Sequence, residues 1–150
     1  MIGKILATSL AALVATSALA AGGEKVRLTG EMIDTWCYYS GVMGPPEATL
    51  GTAHRVCALW CSAGGIPVGL LTGDGTVYMV VSWLGQAGVA DGETLLPVAS
   101  HRLTVEGERF SRDGIDYLVV ERVVADQGIV NITHEEWGIT PPFAFPEPKK

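Results

Sequence analysis

The residues best equipped for chemistry fall in one stretch: Cys37, then His54-Arg-Val-Cys57 and Ala-Leu-Trp-Cys61, which together hold all three cysteines and one of the three histidines. Thiolate and imidazole are the donors of closed zinc sites, and soft thiolates also suit copper(I). On a helix turning roughly 100° per residue, His54, Cys57 and Cys61 lie within roughly 60° of one another. One face then presents three donors, and Cys37 completes a Cys3His set if its loop folds back. The spacing lacks the paired C-x2-C knuckles of many zinc sites. Asp34 is an acceptor that could orient His54, although an acid closing a strand is also a common turn former. Trp36 and Trp60 could sit over a cation, and Met43 offers a soft thioether. The plainer role of both indoles is core packing.

Two other chemistries use the same atoms. In an oxidising compartment Cys37 would pair with Cys57 or Cys61, stapling the loop and leaving one thiol over. A Cys57–Cys61 bond suits a helix poorly, because side chains four residues apart run nearly parallel. Alternatively, His54 one turn from Cys57 could lower a thiol pKa for redox work.

These donors need a scaffold, and the chain supplies a small β-domain behind an export segment. Lys4, the apolar run Ile5 to Val14 and the A-x-A pattern at Ala18 and Ala20 predict a Sec-type signal peptide over residues 1–20, cut after Ala20. No cysteine follows it for lipid attachment, and the pattern predicts a periplasmic or secreted protein with no membrane anchor. Without Lys4 the chain keeps nine basic against sixteen acidic residues, a formal charge of −7. Such a surface repels phosphate backbones and anionic lipid, which excludes nucleic-acid and membrane-surface partners. Small molecules, cations and other exported proteins remain.

Alternation over Val26 to Asp34 predicts strand 1, with Gly30 at a bend or bulge. Gly41, Gly44, Pro45 and Pro46 make Tyr38 to Gly51 a long irregular excursion. Thr52 to Ala63 lacks Gly and Pro and predicts a three-turn helix, with Thr52 as N-cap and Gly64-Gly65 as stop. On its wheel Val56, Leu59, Trp60 and Ala63 oppose the thiols, so the apolar side should meet the scaffold and the thiols should point elsewhere. Gly73-Asp74-Gly75 and Asp113-Gly114 each join two β-rich runs, Ile66 to Thr72 with Thr76 to Val81, and His101 to Phe110 with Ile115 to Val124, predicting two hairpins. Val89 to Leu96 is a weaker connector, Ile129 to Ile132 a further short strand, and residues 138–150 an irregular Pro-rich tail.

The prediction is mainly β: one domain over residues 24–137, a small antiparallel OB-like barrel of about five strands with one short helix in a long insert after strand 1. An OB-fold usually carries its helix between strands 3 and 4, so the insert is an unusual placement. No nucleophile elbow, dinucleotide loop, phosphate loop or haem attachment motif occurs, and His101 and His134 stand alone. A non-catalytic role is therefore the leading expectation, with zinc or copper(I) as cofactor. A disulfide-stapled module binding another exported protein is the alternative, and a thiol redox protein the third.

Asp34, Cys37, His54, Cys57, Cys61, Gly64-Gly65 and Pro67 together form D-x2-C, a Gly/Pro loop, then H-x2-C-x3-C-x2-G-G-x-P, followed by an apolar strand and Asp74-Gly75. This order resembles a group of small exported bacterial proteins of unassigned function, over about Val26 to Val81. The resemblance implies that the set acts as a unit. More loosely, size and compartment are similar to periplasmic copper-handling OB-like barrels, whose Met, His and Trp ligands this chain lacks.

Overall fold

The structure is a computed structural model that describes residues 22–87 and 96–132. The signal segment, most of the Val89 to Leu96 connector, His134 and the Pro-rich tail lie outside the described residues.

Five long strands close into a barrel. They are β1 (Glu24–Asp34), β2 (Val68–Thr72), β3 (Val77–Trp83), β5 (Arg102–Arg112) and β6 (Ile115–Asp126), with a two-residue β4 (Gln86–Ala87) appended to β3. Around the barrel the order is β1-β2-β3-β6-β5 and back to β1, antiparallel throughout except for the parallel β3–β6 pair. β1 makes the closure possible by changing partner along its length. Glu24 to Glu31 pair with β5, and Gly30 to Asp34 pair with β2. At Gly30, which pairs on both sides, a Cβ would press on the Leu71 carbonyl. The glycine therefore serves a close strand approach; the β1 registers run through it without a shift, so the expected bulge is absent. The shifts fall in β5–β6, between Thr104 and Val105 and between Glu106 and Gly107, and in β3 between Val80 and Ser82. Bulges at such places let long strands coil around a barrel.

Both expected hairpins form. Asp113 and Gly114 take φ of 54° and 79°, the positive pair that a two-residue type I′ turn demands. In the β2–β3 turn Gly75 sits at φ 87°, and Asp74 Oδ1 accepts the Thr76 amide at 3.1 Å. The barrel core follows the period of two: Met32, Val68, Leu70, Val80, Trp83, Leu103, Val105, Leu118 and Val120 point inward and are buried. No strand forms at Ile129 to Ile132. That segment is instead tied to the insert through Asn131.

The insert after β1 holds two α-helices where one was expected. α1 (Thr35–Ser40) starts directly at the strand end, a 3-10 turn covers Pro46–Thr49, and α2 spans Gly51–Ala63. The irregular stretch is accordingly shorter than Tyr38 to Gly51. α2 begins at Gly51 after Leu50, with no side-chain cap from its own chain neighbours, so Thr52 is inside the helix and is not its cap. Instead the Gly51 amide donates to Glu31 Oε1 at 2.6 Å, and the Thr52 amide donates to the Asn131 carbonyl at 2.9 Å. Asn131 Nδ2 in turn donates to Glu31 Oε2. A barrel carboxylate thus does the work of an N-cap.

Burial pushes the Glu31 carboxyl above its usual range, against the lowering effect of the Gly51 amide, Asn131 and Arg102. The fold then holds the Glu31 proton more tightly than the unfolded chain, so stability falls as pH rises through the window above the ordinary carboxyl value. Glu31→Gln keeps an oxygen for Gly51 and removes the titration. The variant is expected to lose this part of the decline above about pH 4.5 in urea melts; identical pH slopes in both proteins would refute the assignment.

Candidate metal centre

Asp34 closes β1 and opens α1. Its backbone is extended at φ −77° and ψ 114°, and its Oδ1 accepts the amides of Trp36 at 2.9 Å and Cys37 at 3.3 Å. The acid is therefore an N-cap, which explains why a helix starts where the strand stops. Nearly two turns later Gly41 at φ 64° ends α1, its amide bonded to the Cys37 carbonyl at 3.2 Å. The Thr35 hydroxyl adds a 2.6 Å bond to the Pro67 carbonyl, locking α1 to the entry of β2. Cys37 is held buried by this short helix rather than by a returning loop.

α2 lies with its polar side inward. Gly51, His54, Arg55, Ala58 and Ser62 are buried, Cys57 and Cys61 half-buried, while Trp60 is 70 % exposed. The expected orientation, apolar side on the barrel and thiols pointing elsewhere, is overturned. The barrel fills its own interior with strand side chains, and the end it offers α2 is polar: Glu31, Asp34 and the Ala99 carbonyl, which accepts from Arg55 Nη1. A helix resting on such a surface buries polar groups that find partners there.

This places the thiols together. Cys57 Sγ stands 4.0 Å from Cys37 Sγ and 4.0 Å from Cys61 Sγ, and all three cysteines are free. Donor atoms of Asp34, Cys37, Cys57 and Cys61 all lie within 4.8 Å of one another. His54 Nε2 lies 3.4 Å from Asp34 Oδ2, with both side chains fully buried, so His54 reaches the cluster through Asp34. Its Nδ1 is buried without a partner among the described residues. Trp36 and Met43 are 60 % and 47 % exposed. With Trp60, neither indole packs in the core. Trp36 lines a shallow groove of about 410 Å³ with Thr35, Tyr39, Ser40, Ile66 and Pro67.

The electrostatics favour protonated thiols around an ionised acid. Burial works against the Asp34 charge, yet the thiols of Cys61 and Cys37, the Cys37 amide and His54 together hold its carboxyl below the usual range. Burial first and the Asp34 carboxylate second push the Cys37 thiol up to about 12, and the same causes push Cys61 up as well. Such thiols are poor nucleophiles at neutral pH. The cluster suits a cation that displaces their protons. Zinc bound tetrahedrally at about 2.3 Å from sulfur sets its sulfurs about 3.8 Å apart, so the observed 4.0 Å spacing needs only a small contraction.

His101, which stood alone in the sequence, pairs with Asp126, Nδ1 to Oδ1 at 2.9 Å, between the start of β5 and the end of β6. It is far from a lone surface residue: burial and an acid partner make it part of the fold. The residue that sequence reasoning placed outside the donor set is Asp34, and the signal that marks it is an Asp immediately before a Cys-bearing helical turn. Among the described residues no helix is long and apolar enough to cross a membrane. Comparison with protein families, characterised proteins and solved structures finds no match to this chain, so its chemistry is read from the cluster itself.

Proposed function

We propose that this chain is an exported, non-catalytic β-barrel protein that binds one metal ion, zinc or copper(I), in a structural or metal-handling role. The observation that carries the reading is the convergence of three thiols and the Asp34–His54 pair at the junction of α1, α2 and the barrel. Two helices anchored separately to the barrel present donors to one point, and three thiols in one cluster match the donor preference of both metals. Loading expels thiol protons, so affinity rises with pH. Elemental analysis of protein purified from the periplasm under mild conditions should return one metal per chain, with the thiols shielded from alkylation until a chelator is added. Protein without stoichiometric metal, and without restored shielding on adding zinc or copper(I), would end the proposal.

A second reading is a disulfide-stapled module that docks another exported protein. It is supported by the contact between Cys37 and Cys57, which belong to different helices, and by the exposed aromatic groove of Trp36 and Tyr39. It predicts a mass lower by two hydrogens that reductant restores, with one thiol free.

A further inference from the structure

We propose that the Asp34 carboxylate is the fourth ligand of a tetrahedral divalent-cation site with Cys37, Cys57 and Cys61, that His54 is the positioning residue behind it, and that copper(I) would use the three sulfurs alone. The inference rests on the metal-binding reading above and names the ion class and the fourth donor.

Lone-pair capacity decides the role of Asp34. Each carboxylate oxygen offers about two acceptor positions. Oδ1 is filled by the amides of Trp36 and Cys37, which fix the carboxylate in place. Among the described residues, the hydrogen-bond contact at Oδ2 is the long 3.4 Å one from His54. This oxygen retains an acceptor position, and a carboxylate oxygen of Asp34 lies within 4.8 Å of each of the three sulfurs. A cation that replaces the thiol protons occupies the space they now fill. His54 touches the acid but is not among the donors that lie within 4.8 Å of one another. To ligate, its ring would have to displace a carboxylate that is also the N-cap of α1. Its fully buried position instead resembles the outer partners that orient metal ligands, with the usual order of histidine and carboxylate reversed.

The donor set has a consequence for the ion. A carboxylate oxygen is an ordinary ligand of zinc but a poor one for copper(I), which soft sulfur satisfies. Removing the carboxylate should therefore weaken zinc and leave copper(I) unaffected.

Asp34→Asn separates ligation from folding, because Asn caps a helix as well as Asp does and its amide nitrogen cannot bind a metal. Asp34→Ser, a second capping residue, serves if Asn fails to fold. His54→Gln keeps a donor aimed at Asp34 but offers no imidazole. Zinc and copper(I) affinities would be measured by chelator competition, and the coordination by cobalt(II) substitution. The expected result is that Asp34→Asn shifts the visible bands of four-coordinate cobalt, as water takes the place of the carboxylate, and drops zinc affinity by more than the ~10–100-fold typical of an outer partner, with copper(I) affinity unchanged. His54→Gln keeps the cobalt band positions and loses only about tenfold in zinc affinity. If His54→Gln shifts the bands while Asp34→Asn leaves their positions unchanged, the imidazole is the ligand and the assignment is overturned. Equal losses of zinc and copper(I) in Asp34→Asn overturn the ion-class argument. A wild-type protein that takes up none of the three metals overturns the metal reading itself.

Discussion

Cys57→Ser weakens zinc binding on the order of a hundredfold or more while leaving the metal-free barrel folded. Cys57 is the sulfur that lies 4.0 Å from both other thiols, so every pairwise contact measured in the thiol set passes through it. Structural zinc sites are worth about 10–16 kcal/mol, or about 3 kcal/mol for each of four ligands, and losing one ligand weakens binding on the order of a hundredfold or more. The variant separates stability from binding because Cys57 is only half-buried and serine is close in size. In wild type, zinc at about 100 times its Kd adds about 2.7 kcal/mol of stability by mass action. In Cys57→Ser a hundredfold weaker site at the same zinc concentration leaves about 0.4 kcal/mol or less of that increment, while the metal-free melting temperature moves by no more than a few degrees. A zinc-dependent rise in melting temperature that survives the substitution undiminished would refute a site built on this sulfur. The same loss should not follow from changing Met43 or Trp60, which are exposed and outside the cluster.

Gly51→Ala is expected to unseat α2 and to cost roughly 2–4 kcal/mol, a sizeable part of a domain's total stability. Two penalties coincide at this residue. Its φ of 55° is a left-handed conformation that only glycine adopts cheaply. A Cβ there would also collide with the carbonyl and Cβ of Asn131, the residue that accepts the Thr52 amide and holds Glu31. Relieving the clash breaks the start of the helix that carries His54, Cys57 and Cys61. Gly65→Ala is the control. It has a similar positive φ of 85°, but nothing lies within 4 Å of its added carbon, so only the backbone strain of about 1 kcal/mol remains. Urea melts of the two variants, with hydrogen exchange at α2 amides, would show the difference. Equal destabilisation would mean that the Asn131 anchor contributes nothing.

The barrel could be read from the chain because its signals are local and repeated. Alternation in β1, β5 and β6 and the Asp-Gly turns at Asp74 and Asp113 each specify strands without reference to the rest of the molecule. Helix α2 was likewise visible within a residue of its N-terminal boundary. Its orientation was not, because the wheel argument assumes that a helix buries its apolar side. Here the acceptors that reward a polar side come from Glu31, Asp34 and Ala99, which are remote in sequence. Helix α1 escaped notice for a different reason: Thr35-Trp-Cys-Tyr-Tyr-Ser40 is too short for periodicity, and its one mark is the capping acid. The cysteine cluster was legible as a set of residue types. The position of Asp34 within the donor group follows from a cap bond that fixes its carboxylate, a detail of geometry that spacing alone does not carry.

Glu31 and Asp34 lie three residues apart at the end of one strand, one holding the start of α2 and the other the start of α1. Both halves of the donor set are therefore surveyed from the same rigid edge, and the segment between them is left without a positioning task. Residues 41–47 are all exposed, and the cluster's donor atoms belong to residues outside that range. A loop freed in this way tolerates changes of length, since doubling it costs only about 0.6 kcal/mol of closure entropy. The spacing between Cys37 and His54 is then the part of this chain most open to insertion, and a peptide tag placed at Met43 should leave the donor geometry intact.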